Sequence, residues 1–175
     1  AWFLSTAHTE DDVDATAEAI TAAGGTVQGG VMDLGPTGRM VVANDPMGAQ
    51  FAAWEAGDHF GSGVHGEPGG LAWEDLRSTD PDAARTFYAD VFGWTYEDYG
   101  QFTGAPYWGV ITGPEDVPGI NGGLLPRPAA TPALGHGTNA YVCTMEVDDY
   151  DATERHILDA GGQVALPKMA LTGMA

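Results

Sequence analysis

The sequence predicts an α+β fold assembled from repeated βαβββ units. Three observations carry that prediction. Aspartates placed to open helices stand at 12, 80 and 149, a spacing of 68 and then 69 residues, and a regular period identifies an architecture before any motif does. Each helical stretch is flanked by short strand-forming runs with Gly- and Pro-containing turns between them. Segments 12–34 and 149–171 also align without gaps at an offset of 137, with 11 of 23 positions identical, among them Asp12, Ile20, Gly24, Gly25 and Met32.

The first unit is residues 1–57. Residues 2–6 read as a strand. Asp12 caps a helix that runs to Ala23, with Val13, Ala17 and Ile20 on its inner face, and Gly24-Gly25 end it. Residues 26–34 form a second strand interrupted by Gly29-Gly30. A Gly-Pro-Thr-Gly turn at 35–38 leads to a strand at 39–43. The turn Asn44-Asp45-Pro46-Met47-Gly48 leads to the last strand, 49–55. A Gly-rich linker, 58–70, follows and carries His59 and His65, without a third metal donor at a regular spacing.

The second unit, 71–126, has the sharpest punctuation. Residues 71–77 read as a strand. Asp80 caps the next helix and Pro81 fits its first turn, where no backbone donor is needed. Ala84, Phe87, Tyr88, Val91 and Phe92 make one apolar stripe, and Gly93 stops the helix in a left-handed conformation. Strands follow at 95–99, 107–112 and 119–125. A Pro-containing linker, 127–138, leads to the third unit, 139–175, which is read as a partial module pairing with 71–126: a strand at 141–147, a helix from Asp149 to Ala160 closed by Gly161-Gly162, and a strand at 163–171. The first and third units are of one kind and the second of another, so a further unit of the second kind is expected before residue 1.

The 175 residues suit one domain or two small ones, and 43% hydrophobic content is ample for a core. The 25 acids against 6 bases give a net charge of −19. Such a surface repels nucleic acid and anionic membranes, so neither is expected as a partner. The single cysteine, Cys143, excludes an internal disulfide and reads as a small buried residue rather than a nucleophile. No run approaches the ~20 apolar residues that cross a bilayer, no leader is evident, and the cytoplasm is the expected location. The chain begins with Ala, so a processed or partial product is expected.

The stretches 80–88 (DPDAARTFY) with Phe92-Gly93-Trp94, Val13-Asp14-Ala15 with Ala23-Gly24-Gly25, and 45–51 (DPMGAQF) resemble the glyoxalase / bleomycin-resistance / extradiol-dioxygenase superfamily, the vicinal oxygen chelate proteins. The resemblance covers nearly all of the chain outside its linkers and is closest to two-domain actinobacterial members. It implies a glyoxalase-like half-barrel, here two full modules plus one partial, with 1–57 as the second half of a domain whose first half is absent. In metal-dependent members of the family, a His or Gln near the start of the first strand and a Glu on the fourth strand of each module bind a divalent ion. The matching positions here are Ser5, Trp73, Val142 and Ala52, none of them a good ligand. Glu55 lies on the opposite strand face from Ala52, and 117–128 contains no acid. No metal and no cofactor are expected.

Chemistry is therefore sought elsewhere in the half-barrel. Trp73, Asp75 and Arg77 alternate along one strand and share a face. Either they line a cavity, with Trp73 as a stacking wall and Asp75 and Arg77 orienting a polar ligand, or Trp73 is core and Asp75 pairs with Arg77. One of Tyr107 and Trp108 should point inward. Trp108 and Asn121 complete the candidate ligand-binding set, and no catalytic residue is assigned. The leading expectation is a metal-free protein that binds a small organic molecule. The alternatives are a metal-dependent lyase, isomerase or dioxygenase completed by a missing module or another chain, and a non-catalytic assembly module that forms homo-oligomers by pairing modules between chains.

Overall fold

The computed structural model describes residues 5–8, 12–61, 63–64, 67–112, 122–127, 140–164 and 167–168. The first unit runs β1 (Ser5–His8), α1 (Val13–Ala22), β2 (Thr26–Asp33), β3 (Gly38–Asn44) and β4 (Gln50–Ala56). Its strands lie in the order β1-β4-β3-β2, with β1 parallel to β4 and the remaining pairs antiparallel. A bulge falls between Gln28 and Val31, where Gly29 and Gly30 take φ of 71° and 83°, a conformation that glycine adopts without a Cβ penalty.

The second unit repeats the winding. It runs β5 (Leu71–Ser78), α2 (Pro81–Phe92), β6 (Thr95–Asp98), a one-turn α3 (Gly100–Thr103), β7 (Trp108–Ile111) and β8 (Gly122–Pro126). Strand β9 (Ala140–Met145) then lies antiparallel along β5, which gives a five-stranded sheet in the order β6-β7-β8-β5-β9, and α4 (Tyr150–Asp159) follows. This is the α+β arrangement of repeated βαβββ modules that the sequence predicts.

The helix starts have the expected chemistry. The Asp12 carboxylate accepts from the N–H groups of Asp14 and Ala15, Asp80 from Ala83, and Asp149 from Ala152. Each satisfies a donor that the first helical turn leaves open. Gly93 closes α2 at φ 70°. One expected element differs: of 163–171, the described residues 163–164 and 167–168 belong to no strand. The matching strand of the first unit, β2, exists by pairing with β3. Among the described residues the third unit offers no such neighbour, and an unpaired strand is not stable in water. The turn at 113–116 and Asn121 lie outside the described residues.

The first two units share one core. Val13 and Ile20 of α1, Val41, Phe51 and Ala53 of the first sheet, Leu76 and Leu124 of the second, and Ala84, Phe87 and Tyr88 of α2 form a single buried cluster. Phe51 meets three α2 rings edge-on, at centroid distances of 5.9 Å to Phe87, 5.4 Å to Tyr88 and 5.9 Å to Phe92. Tyr141 of β9 packs edge-on against Tyr88 at 6.1 Å.

A buried polar link accompanies this packing. Asp45, in the β3–β4 turn, accepts at Oδ1 from the N–H groups of Met47 and Ala49, and at Oδ2 from the Tyr88 hydroxyl at 3.3 Å. Burial raises the Asp45 pKa above its ordinary value, against the opposing effect of these donors. A carboxyl raised in the folded state contributes stability that is fully present below its unfolded pKa and is lost as pH rises through the folded one. Asp45→Asn keeps the Oδ1 acceptor and removes that titration. The stability of the parent relative to this variant is therefore expected to decline as pH rises from below 3.8 through the raised value. Urea unfolding of both proteins across that range measures it, and a pH-independent difference would contradict it.

Candidate ligand site on the second sheet

Strand β5 places the predicted residues. Leu76 is buried against α2 with Leu124 of β8, so strand alternation turns Trp73, Asp75 and Arg77 to the face away from α2. Registers carry the same parity across the sheet: Asp75 lies opposite Gly123 on β8 and Val142 on β9, and Gly123 opposite Gly109 on β7.

On that face three side chains form a closed hydrogen-bonded group. The Trp73 indole N–H donates to Asp75 Oδ1 at 2.9 Å and to the Tyr107 hydroxyl oxygen at 2.8 Å, and the Tyr107 hydroxyl donates to Asp75 Oδ1 at 2.7 Å. All three residues are half-buried. Burial, reinforced by Asp75, holds the Tyr107 phenol well above its ordinary pKa, so it stays protonated and remains a donor. The group sits over Gly123, where a Cβ would fall 2.0 Å from the Tyr107 hydroxyl oxygen and 2.6 Å from Asp75 Oδ1. Beside it the Tyr99 ring covers Gly109 in the same way, at 2.5 Å from a Cβ placed there, while the Tyr99 hydroxyl donates to Glu97 at 2.7 Å. Two glycines thus make room for two tyrosines on one sheet face.

Of the predicted set, Trp73 and Asp75 meet. Arg77 shares their face, and among the described residues no ion pair joins it to Asp75. Trp108 does not join them. It lies on the α2 side, packed against the core, with the Arg85 guanidinium over its ring at 4.4 Å. Its outer edge lines an open hollow of about 450 Å³ at the α3 turn, with Asp98, Gln101 and Pro106. Tyr107, the alternative inward residue on that strand, takes the place beside Asp75. The small residue that makes room for it is Gly123 on the neighbouring strand, a pairing that no local pattern at 107–109 announces.

Trp73, Ala52 and Val142, which match metal-ligand positions of metal-dependent proteins in the resembling family, do not fit a metal. The Trp73 indole is a donor only. Ala52 is a buried apolar residue, and Val142 lies beside Asp75 on β9. Glu55 is engaged elsewhere, since its Oε2 accepts the first N–H of α1, from Val13, at 2.9 Å and pairs with Arg39 at 3.3 Å. Among the described residues no three His, Cys, Asp or Glu side chains converge to hold an ion. His59 packs edge-on against Trp54 and accepts its indole N–H through the backbone carbonyl.

Cys143, on β9, donates to Glu74 Oε1 at 3.3 Å. Burial and the Glu74 charge push its thiol up to about 11. Two units above the ordinary 9.0 leave about a hundredfold less thiolate at neutral pH, and the thiolate is the reactive form. Iodoacetamide labelling at pH 8 is therefore expected to run about tenfold or more slower than for a free thiol, since the thiolate that remains is more nucleophilic, and to accelerate toward pH 11. Labelling at the ordinary rate at pH 8 would contradict this.

No helix among the described residues is long and apolar enough to cross a membrane. A family model described as the Glyoxalase/Bleomycin resistance protein/Dioxygenase superfamily matches residues 68–170. A Mycobacterium bovis protein named "Putative glyoxylase CFP32" is 35% identical over 154 residues, which are 88% of this chain and 56% of that protein. The "Anthracycline biosynthesis protein DnrV" of Streptomyces peucetius is 34% identical over 159 residues, 88% of this chain and 53% of that one. The chain thus spans about half the length of the curated relatives it matches. Among solved structures, 2,2',3-trihydroxybiphenyl 1,2-dioxygenase from Sphingomonas wittichii superposes with a TM-score of 0.53 at 15% identity, over 90% of this chain and 58% of that chain, a likeness of fold.

Proposed function

The chain belongs to the glyoxalase/bleomycin resistance protein/dioxygenase superfamily, and from that premise we propose that it binds a small organic molecule, without a metal ion, on the face of the second sheet that carries Trp73, Asp75 and Tyr107. The single observation behind this reading is the closed Trp73–Asp75–Tyr107 group, half-buried over Gly123, at a position where metal-dependent members of the family hold an ion. A pre-organised polar group beside aromatic surface is what fixes the orientation of a small ligand. Flat hydroxylated aromatics are the class to try first, because Trp73 and Tyr107 offer stacking surface and the name of the Streptomyces relative points to the biosynthesis of flat aromatic compounds.

Calorimetric titration with a panel of such compounds tests the reading. Saturable one-to-one binding is expected, weakened about tenfold or more by Tyr107→Phe, which removes two hydrogen bonds of the group, and by Trp73→Ala. Binding that is unaffected by both substitutions would overturn it.

A second reading, pairing of modules between chains, is favoured by the third unit. Ile20 of α1 is 0% exposed, while its counterpart Ile157 of α4 is 49% exposed and no residue of α4 is buried. Among the described residues β1 and β9 each have a partner on one side only, and bare strand edges invite a further strand. Sedimentation tests it: a concentration-dependent dimer supports intermolecular pairing, and a strict monomer excludes it.

A further inference from the structure

Resting on the reading of the Trp73 face as a ligand site, we infer that the ligand is read at two points: a hydrogen-bond donor group of the ligand at Asp75 and an anionic oxygen of the ligand at Arg77. The ligand class is therefore an aromatic hydroxy acid or amino acid with its polar groups at opposite ends, rather than a neutral or singly substituted aromatic.

The first point follows from counting donors. Asp75 Oδ1 is saturated by Trp73 and Tyr107, while Oδ2 takes no hydrogen bond among the described residues and is not among their buried unpartnered atoms. The Tyr107 hydroxyl has spent its only proton on Asp75, and the Trp73 indole has spent its own. The group thus presents a carboxylate oxygen aimed by two donors and offers no donor of its own. A ligand group that meets it must bring a proton.

The second point follows from charge. The chain carries 25 acids and 6 bases, yet among the described residues the ion pairs engage only Arg39, Arg85 and Lys168. Arg77 has none, and its Nε is buried without a hydrogen-bond partner. Neither acid on its own sheet face pairs with it: Asp75 takes indole and phenol donors at Oδ1, and Glu97 takes the Tyr99 hydroxyl. Arg127, whose N–H donates to the Ser78 carbonyl, follows β8 at the same end of the sheet. A guanidinium without a carboxylate in so acidic a chain is suited to a carboxylate that arrives with the ligand, held through its planar fork of donors.

Residues i and i+2 on a strand are about 6.6 Å apart at the backbone, so a ring with its two polar groups at opposite ends, such as 4-hydroxybenzoate, suits two separate contacts better than one with adjacent groups. That compound is the probe, with benzoate, 4-hydroxybenzamide and salicylate, whose two groups are adjacent, as comparisons. By calorimetry on the unsubstituted protein, 4-hydroxybenzoate is expected to bind about tenfold or more tightly than each comparison compound, since each lacks one contact or cannot span both. Arg77→Met should remove the preference over 4-hydroxybenzamide, and Asp75→Asn the preference over benzoate, with the melting temperature of each variant reporting its fold. Equal binding of all four compounds overturns the two-point assignment and leaves the ligand site standing. A preference that survives Arg77→Met overturns the anion contact. Absence of binding by all four overturns the assignment, and the Tyr107→Phe titration with the wider panel then decides the site itself.

Discussion

Phe51→Ala is expected to destabilise the chain by about 3–5 kcal/mol, the usual cost of truncating a buried aromatic, and to do so in one cooperative transition. Phe51 belongs to β4 of the first unit but spends its ring on α2 of the second, with three edge-on aromatic contacts and 2% of its surface exposed. Such pairs add about 0.5–1.5 kcal/mol each beyond burial. The cavity would open where two units meet, so both lose packing together. Chemical denaturation followed by far-ultraviolet dichroism and by tryptophan fluorescence measures it. Coincident transitions shifted to lower denaturant are expected. A first unit that unfolds separately, or a loss below about 1 kcal/mol, would show that the units do not share a core.

Gly123→Ala is expected to disable the site more than the fold. The added methyl would stand 2.0 Å from the Tyr107 hydroxyl oxygen and 2.6 Å from Asp75 Oδ1, so the hydroxyl must leave and its hydrogen bonds to Asp75 and Trp73 go with it. The end of a tyrosine side chain moves more easily than backbone, which places the stability cost in the range of about 1–3 kcal/mol typical of overpacking. Ligand affinity, which depends on the group being held in place, should fall by about a hundredfold, two lost hydrogen bonds at roughly a factor of ten each. Calorimetry and thermal melting on the same preparation separate the two effects. Full affinity in the variant would show that the group over Gly123 takes no part in binding.

Much of the fold is legible in the sequence because it is written in local chemistry. Asp12, Asp80 and Asp149 are caps, Gly93 is a left-handed stop, and Gly29-Gly30 mark a bulge. Each follows from the residue type and its immediate neighbours. The period-2 alternation of β5 likewise places Trp73, Asp75 and Arg77 on one face. What sequence does not deliver is parity across a gap. Whether Tyr107 or Trp108 turns toward Asp75 depends on the register of β7 on β8, and a loop with its own helical turn, α3, resets that register. The Asp45–Tyr88 link is hidden for a related reason: Asp45 reads as turn chemistry, and its second oxygen finds a hydroxyl 43 residues away. Strand alternation separates Glu55 from Ala52, but the hydrogen bond from the first N–H of α1 to Glu55 is a long-range pairing that no local pattern announces. The strand expected over 163–171 rests on the near-identity with the first unit, and its described residues lack the neighbouring strand that β2 has.

Ligand recognition on the second sheet is proposed to run through Trp73, Asp75 and Tyr107 with no ion among them, and the other binding predictions depend on this. The most direct test is metal analysis of the purified protein coupled to ligand titration before and after exhaustive chelation. No stoichiometric nickel, zinc, iron or manganese is expected, and the binding isotherm should be unchanged by the chelator. A stoichiometric metal whose removal abolishes binding would contradict it.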